Sequence, residues 1–168
     1  MLYNIYSRKV DRFFMYKEDF NMAVNVIPKE HIKDFIFAGN AYFTLTSNKT
    51  KTHYTYRIKR ADNNNNTYFI NVDDNNRDTY AGYMKRVDNV FKFFKGTKGA
   101  FDELDEPIIA LMWTIRHSMD VDINTKITIQ HVGKCCKCGR TLSDPKSINM
   151  GIGPECMKLA YKTKIYTK

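Results

Sequence analysis

All four cysteines of this chain lie between positions 135 and 156, and no other feature restricts its fold as strongly. The stretch reads His131-Val-Gly-Lys-Cys135-Cys136-Lys-Cys138-Gly139-Arg140, then Thr-Leu-Ser-Asp-Pro-Lys-Ser147, and later Gly151-Ile-Gly153-Pro154-Glu-Cys156. Cys135 and Cys138 have the spacing of a tight turn whose two thiolates converge on one metal ion. Gly139 directly after them permits the positive φ that such a turn needs. Gly153-Pro154 reads as a helix start with proline in the first position. Cys156 then sits in the first turn, where unpaired N–H groups and the positive end of the helix dipole favour a thiolate.

A turn giving two sulfurs and a helix start giving a third is the outline of a treble-clef-like zinc module. His131, at the end of a preceding strand, is the expected fourth donor, and the implied cofactor is Zn2+ held by His131, Cys135, Cys138 and Cys156. Cys136 competes with His131 for the fourth place, although sequence neighbours rarely converge on one ion. Disulfides would require an oxidising compartment. The chain opens Met-Leu-Tyr-Asn with no apolar signal segment, so the expectation is reduced thiols in a cytoplasm. A redox-active cysteine is a third reading. A metal site of this kind says little about activity, because most hold a small fold together, contributing on the order of 10 kcal/mol.

With 168 residues, the chain has room for one domain, or for a domain and a small module. We divide it into an α+β sheet domain at 1–125 and a zinc-binding module at 126–168. Within 1–27, Leu2, Tyr3, Ile5 and Tyr6 read as the start of a strand, and Phe13, Phe14 and Phe20 as core. Pro28 to Phe37 reads as a short helix with Ile32, Phe35 and Ile36 on one face, stopped by Gly39. Residues 41–48 alternate, with Ala41, Phe43 and Leu45 on one side. Residues 52–60 alternate again, with Tyr54, Tyr56 and Ile58 on one side and His53, Thr55, Arg57 and Lys59 on the other. Strands follow at 67–72, 79–86 and 90–94, separated by polar turns at 62–66 and 73–78. The whole reads as an antiparallel β-meander packed by helices. The principal helix has acidic residues around its start and Pro107 close by. Leu104, Ile108, Leu111, Met112, Ile115 and Met119 recur on its apolar face, widened by Ile109 and Trp113. Residues 126–131 form the strand that delivers His131, and residues 154–162 the last helix.

The net charge of +9 is unevenly spread. Residues 1–100 hold 17 basic and 10 acidic side chains, residues 101–120 hold 1 and 5, and residues 121–168 hold 9 and 3. The module is therefore the most basic part for its length, which suits nucleic acid or an acidic protein surface. Lys134, Lys137, Arg140 and Lys146 around the cysteines, with Arg57 and Lys59 on the second strand, are the candidate nucleic-acid contacts; His53 lies on the same side of that strand. Plain solvation of these charges is the simpler alternative. Arg140 equally suits hydrogen bonding within the turn, and Tyr54 and Tyr56 suit the core. The competing partner is another protein. No run of about 18 apolar residues suggests a membrane partner, and no small-molecule cofactor is implied.

Catalysis is not expected, and no catalytic residue is nominated. There is no phosphate-cradling Gly-Lys-Ser/Thr loop and no His-Glu-x-x-His helix. Four protein donors would close the zinc, whereas a catalytic zinc keeps one position open. Glu155 beside Cys156 lacks the rest of a deaminase signature. His31, His53 and His117 are scattered.

The pattern His-x3-Cys-x2-Cys-Gly-Arg-x-Leu, followed by Pro-x-Ser and then by Gly-Ile-Gly-Pro-x-Cys, resembles the C-terminal module of a family of small, mostly phage and prophage proteins of unknown function. His131, Cys135, Cys138, Gly139, Arg140, Leu142, Ser147, Gly151, Gly153, Pro154 and Cys156 fall on it, with Pro145 displaced by one place. Phe43-Thr44-Leu45 and Tyr54-Thr55-Tyr56-Arg57 resemble two upstream strands of that family. Its Gly-Pro-Asp-Asn loop is replaced by Asp73-Asp74-Asn75-Asn76. The resemblance covers roughly residues 38–157 and implies a metal-binding, phage-type protein without a known activity, acting in the host cytoplasm, for which the partner competing with nucleic acid is a host protein such as an enzyme or defence complex that it modulates.

Overall fold

Alternating apolar residues build the molecule's centre. In the computed structural model, which describes residues 25–74 and 76–166, strands β1 (Asn40–Ser47), β2 (His53–Ala61), β3 (Asn64–Asp74), β4 (Arg77–Val87) and β5 (Val90–Phe94) form the expected antiparallel meander. A sixth strand, β6 (Ile127–His131), returns to pair with β1, so the sheet order is β5-β4-β3-β2-β1-β6. The expected second unit thus begins with a strand of the same sheet. Register places Phe43 opposite Tyr56 on one side and His131 on the other, and Leu45 between Tyr54 and Ile129. Ala41, Phe43, Leu45, Tyr56, Ile58, Ile70 and Ile129 are all buried on this face. Each large one contributes about 1.5–3 kcal/mol by leaving water.

Helices close the core face. A 3-10 turn at Lys29–His31 leads into α1 (Ile32–Ile36), which buries Ile32, Phe35 and Ile36 as its spacing predicts. Phe35 packs edge-on against Phe43. The principal helix α2 (Glu106–His117) buries Ile108, Leu111, Thr114 and Ile115. It is pinned by Tyr56, whose hydroxyl donates to the Pro107 carbonyl at 2.7 Å, and by Tyr54, which donates to Glu106 at 2.7 Å. Three residues of the expected apolar stripe differ. Leu104 and Met119 fall beyond the ends of α2 and are exposed, and Ile109 lies on the solvent side.

Other departures concern polar residues. The expected turns at 62–66 and 73–78 are shorter, because β3 extends from Asn64 through Asp74. Ladder hydrogen bonds to β2 and β4 outweigh the weak strand preference of asparagine and aspartate. Asp88 and Asn89, both with positive φ, make the two-residue turn between β4 and β5. A short helix α3 (Ile123–Lys126) precedes β6, and α4 (Pro145–Met150) lies between the cysteine turn and α5 (Pro154–Tyr166). The readings at Leu2, Tyr3, Ile5, Tyr6, Phe13, Phe14 and Phe20 lie outside the described residues. No described helix is long and apolar enough to cross a membrane.

Candidate metal centre

Local backbone chemistry gathers the sulfurs. After β6 the chain turns at Gly133 and Gly139, both with φ near +80°. Lys134 bridges to Thr141, the Cys135 N–H donates to the Arg140 carbonyl at 2.8 Å, and the Gly139 N–H donates to the Cys135 carbonyl at 2.8 Å. This knuckle, residues 132–142, presents Cys135 and Cys138. Helix α4 follows, with Asp144 accepting from the Ser147 N–H at 3.0 Å as its N-cap and Gly151 ending it at φ +68°. A Cβ at Gly151 would stand 2.8 Å from the Phe35 ring, so glycine is required there by space as well as by φ. Pro154 then starts α5 and places Cys156 in its first turn, as the Gly-Pro pair predicts. The Sγ atoms of Cys135, Cys138 and Cys156 lie within 4.8 Å of one another.

Cys135 and Cys156 are electrostatically unlike. Burial opposes ionisation of Cys135, but N–H groups of Gly153, Cys138 and Lys137 directed at its sulfur outweigh that and hold its pKa below the ordinary thiol value. The Gly153 N–H donates to it at 3.3 Å. Desolvation, and then the neighbouring Cys138 and Cys135 sulfurs, push Cys156 up to about 12. Three sulfurs that repel one another's charge are a donor set that a soft cation relieves.

His131 stands apart from this group. It occupies a core-face position of β6, is 3% exposed, and lies 6.2 Å, centroid to centroid, from the Phe35 ring. Its Nε2 is bonded to the Ile148 carbonyl, and its Nδ1 accepts from the Gly133 N–H at 3.0 Å. A carbonyl only accepts, so Nε2 carries the proton and both ring nitrogens are occupied. Burial, partly offset by the Ile148 carbonyl, lowers the His131 pKa. Cys136 also faces away from the sulfur group, into the hydrophobic core; desolvation, and then Cys135, push its thiol up to about 12. Its backbone ties the parts together: its N–H donates to Gly151 at 2.9 Å, and its carbonyl accepts from Asn40 at 2.7 Å. The structure thus brings together three of the four expected donors.

The candidate nucleic-acid contacts form two sets. Lys134, Arg140 and Lys146 are exposed on the cysteine segment and Lys137 is half-buried. The Lys134 ammonium lies 6.0 Å from the centre of the Tyr42 ring. Arg57 and Lys59 are exposed on the sheet face opposite the helices, where Arg57 stands 4.0 Å from Asp78 and Lys59 is level with Asn40. His53 is exposed on that face as well. Sequence reasoning passed over Phe69, Tyr80, Tyr83 and Phe94, which stand on the same open face. The available signal was the phase of Phe69, out of step with the buried Tyr68 and Ile70.

Residues 128–160 match the model of a family of unknown function (DUF6011). That stretch runs from β6 into α5 and contains the whole sulfur group. The motif resemblance therefore holds at the level of a family of unknown function; the family's description names neither a phage origin nor a metal. Neither the curated proteins nor the solved structures give a match.

Proposed function

We propose that Cys135, Cys138 and Cys156 hold one zinc ion in a treble-clef-like module, and that the protein is an accessory factor binding nucleic acid through the basic surface around that module. The observation that carries this reading is the convergence of the three sulfurs within 4.8 Å beside the exposed Lys134, Arg140 and Lys146. Zinc suits a thiolate set better than a harder cation does. When bound, it supplies cross-linking of the knuckle to α5. The chain's own residues position the donors: Gly139 allows the turn, Gly153 directs its N–H at Cys135, and Pro154 starts the helix that carries Cys156. The exposed Lys134, Arg140 and Lys146 are suited to phosphate oxygens.

The test is elemental analysis of the purified chain, followed by titration with labelled DNA and RNA at two salt concentrations. About one zinc per chain is expected, with binding that weakens steeply as salt rises, because phosphate contacts release counterions. A chain without zinc, or without nucleic-acid affinity at low salt, contradicts the corresponding half of the reading.

A further inference from the structure

The sheet has two faces, and the packed helices α1 and α2 lie on one. The other carries aromatic side chains where alternation usually places polar ones. Phe69 and Phe94 remain 41% and 37% exposed, although burying either would be favourable. They do not stand singly. Lys59, Phe69, Tyr83 and Phe94 are successive register partners from β2 to β5. Tyr83 stacks on Phe94 with centroids 5.3 Å apart, and Phe69 meets Tyr80 edge-on at 6.4 Å. The β-bulge between Ile70 and Asn71 brings Tyr80 onto this face opposite Asn71.

Cations flank the rings. Lys85 and Lys92 pair across β4 and β5 on one side of the aromatic row, and Arg57 lies one row to the other side. Asp73 and Asp78 share the face, but at its far end, with Asp78 near Arg57. Toward β6 the row meets the cysteine segment, where Lys134 leans over Tyr42, the β1 partner of Arg57. From β1 to β5 the track spans roughly 19 Å, at about 4.8 Å per strand.

We propose that this face takes a single strand of nucleic acid, with unpaired bases stacked on Phe69, Tyr80, Tyr83 and Phe94 and phosphates held by Lys59, Lys85 and Lys92. The inference rests on the nucleic-acid reading above and deepens it by naming the strand form and a second surface. Charge complementarity selects a polyanion, and the rings select one with accessible base faces. In a duplex those faces are already stacked, so the rings would gain nothing from it.

The experiment uses the full chain, with labelled oligothymidylate and oligouridylate of about 12 nucleotides, within the site sizes of single-strand binders, and a duplex of the same length. Variants Phe69→Leu, Tyr83→Leu and Phe94→Leu remove a ring but keep apolar bulk. Lys134→Ala with Arg140→Ala probes the cysteine segment. The expected result is a preference for single strands that falls roughly tenfold or more per ring lost, with duplex affinity unchanged. Ultraviolet cross-linking of the wild-type chain to oligothymidylate reads the same contact without any substitution, and cross-links on Phe69, Tyr80, Tyr83 or Phe94 support it. Equal affinity for single strand and duplex, indifferent to the ring variants but lost in the Lys134/Arg140 variant, overturns this inference and leaves the basic-surface reading standing. Cross-links confined to residues 132–142 do the same. A dimer that the ring variants dissociate without changing strand affinity would make the face a self-association surface. No binding of any strand form overturns both readings.

Discussion

The sheet and the cysteine segment are stabilised by different things. On the sheet, buried side chains are large and apolar: Phe43, Tyr56, Ile58, Ile70 and Met84 are fully enclosed. Among the described residues from 132 to 160, the buried side chains are those of Cys135, Cys136 and Ser147. The first region carries its own hydrophobic core. The second has glycine turns, the six-residue helix α4 and three sulfurs, and within residues 132–160 little apolar burial to offset the entropy of ordering it. Within one chain, the same problem of fixing a backbone is solved by area in one place and, on the metal-binding reading proposed above, by coordination in the other.

The largest effect should come from removing the cation. Chelation, or Cys156→Ser, is expected to abolish hydrogen-exchange protection in residues 132–160, a loss on the order of 10 kcal/mol for the metal-bound segment. Protection in β1 to β4 should survive. Simultaneous loss from both regions would show that the sheet has no independent core. Next is His131→Ala. With both ring nitrogens bonded to backbone, this change leaves the Ile148 carbonyl and the Gly133 N–H without side-chain partners. Each costs about 1–3 kcal/mol if it stays buried. Zinc content should remain at about one per chain; zinc lost with the imidazole would make His131 a ligand and move the boundary between the two regions.

A smaller effect follows from pH. The folded-state pKa of His131 is lowered, by burial first, with the Ile148 carbonyl opposing. The unfolded chain then holds more protons than the folded one below about pH 6.5. The stabilisation is present above that value and is lost as pH falls through the lowered folded pKa. Urea midpoints at pH 7.5 and 5.5 should differ more for the wild type than for His131→Gln at equal zinc saturation. The smallest effect is Asp144→Ala, which removes the cap from Ser147 and should cost about 1 kcal/mol. Its loss of protection should be confined to α4 and its neighbours, with β3 and β4 unaffected.

Period-two alternation made the sheet legible, because side chains on one face of a strand must share an environment. Phe43, Leu45, Tyr56 and Ile58 fall on the expected side for that reason. The return of β6 to β1 was not legible, since pairing between distant strands leaves no local mark. The sulfurs of Cys135, Cys138 and Cys156 were readable from turn and helix-start chemistry. The orientation of His131 was not: a histidine at a strand end looks the same whether its ring meets a metal or a carbonyl. Helix α4 did carry a signal in Asp144-Pro145 and Gly151, a cap, a first-turn proline and a left-handed terminator. The aromatic face was obscured by the bulge at Ile70/Asn71, which shifts the phase of β4 against β3.

The return strand has a consequence for assembly. The Thr128 hydroxyl reaches Asn48 across 80 residues of chain, whereas the hairpins of β1 to β5 close over short turns. Contacts of such separation form late, because the loop entropy must be overcome before they stabilise anything. Nascent chains should therefore complete the meander first and recruit β6 afterwards. Only then would Asn40 meet the Cys136 carbonyl and fix the ligand turn beside β1. Ion capture would be the closing event of maturation, and a cell starved of that ion would accumulate a folded sheet with an unfinished end.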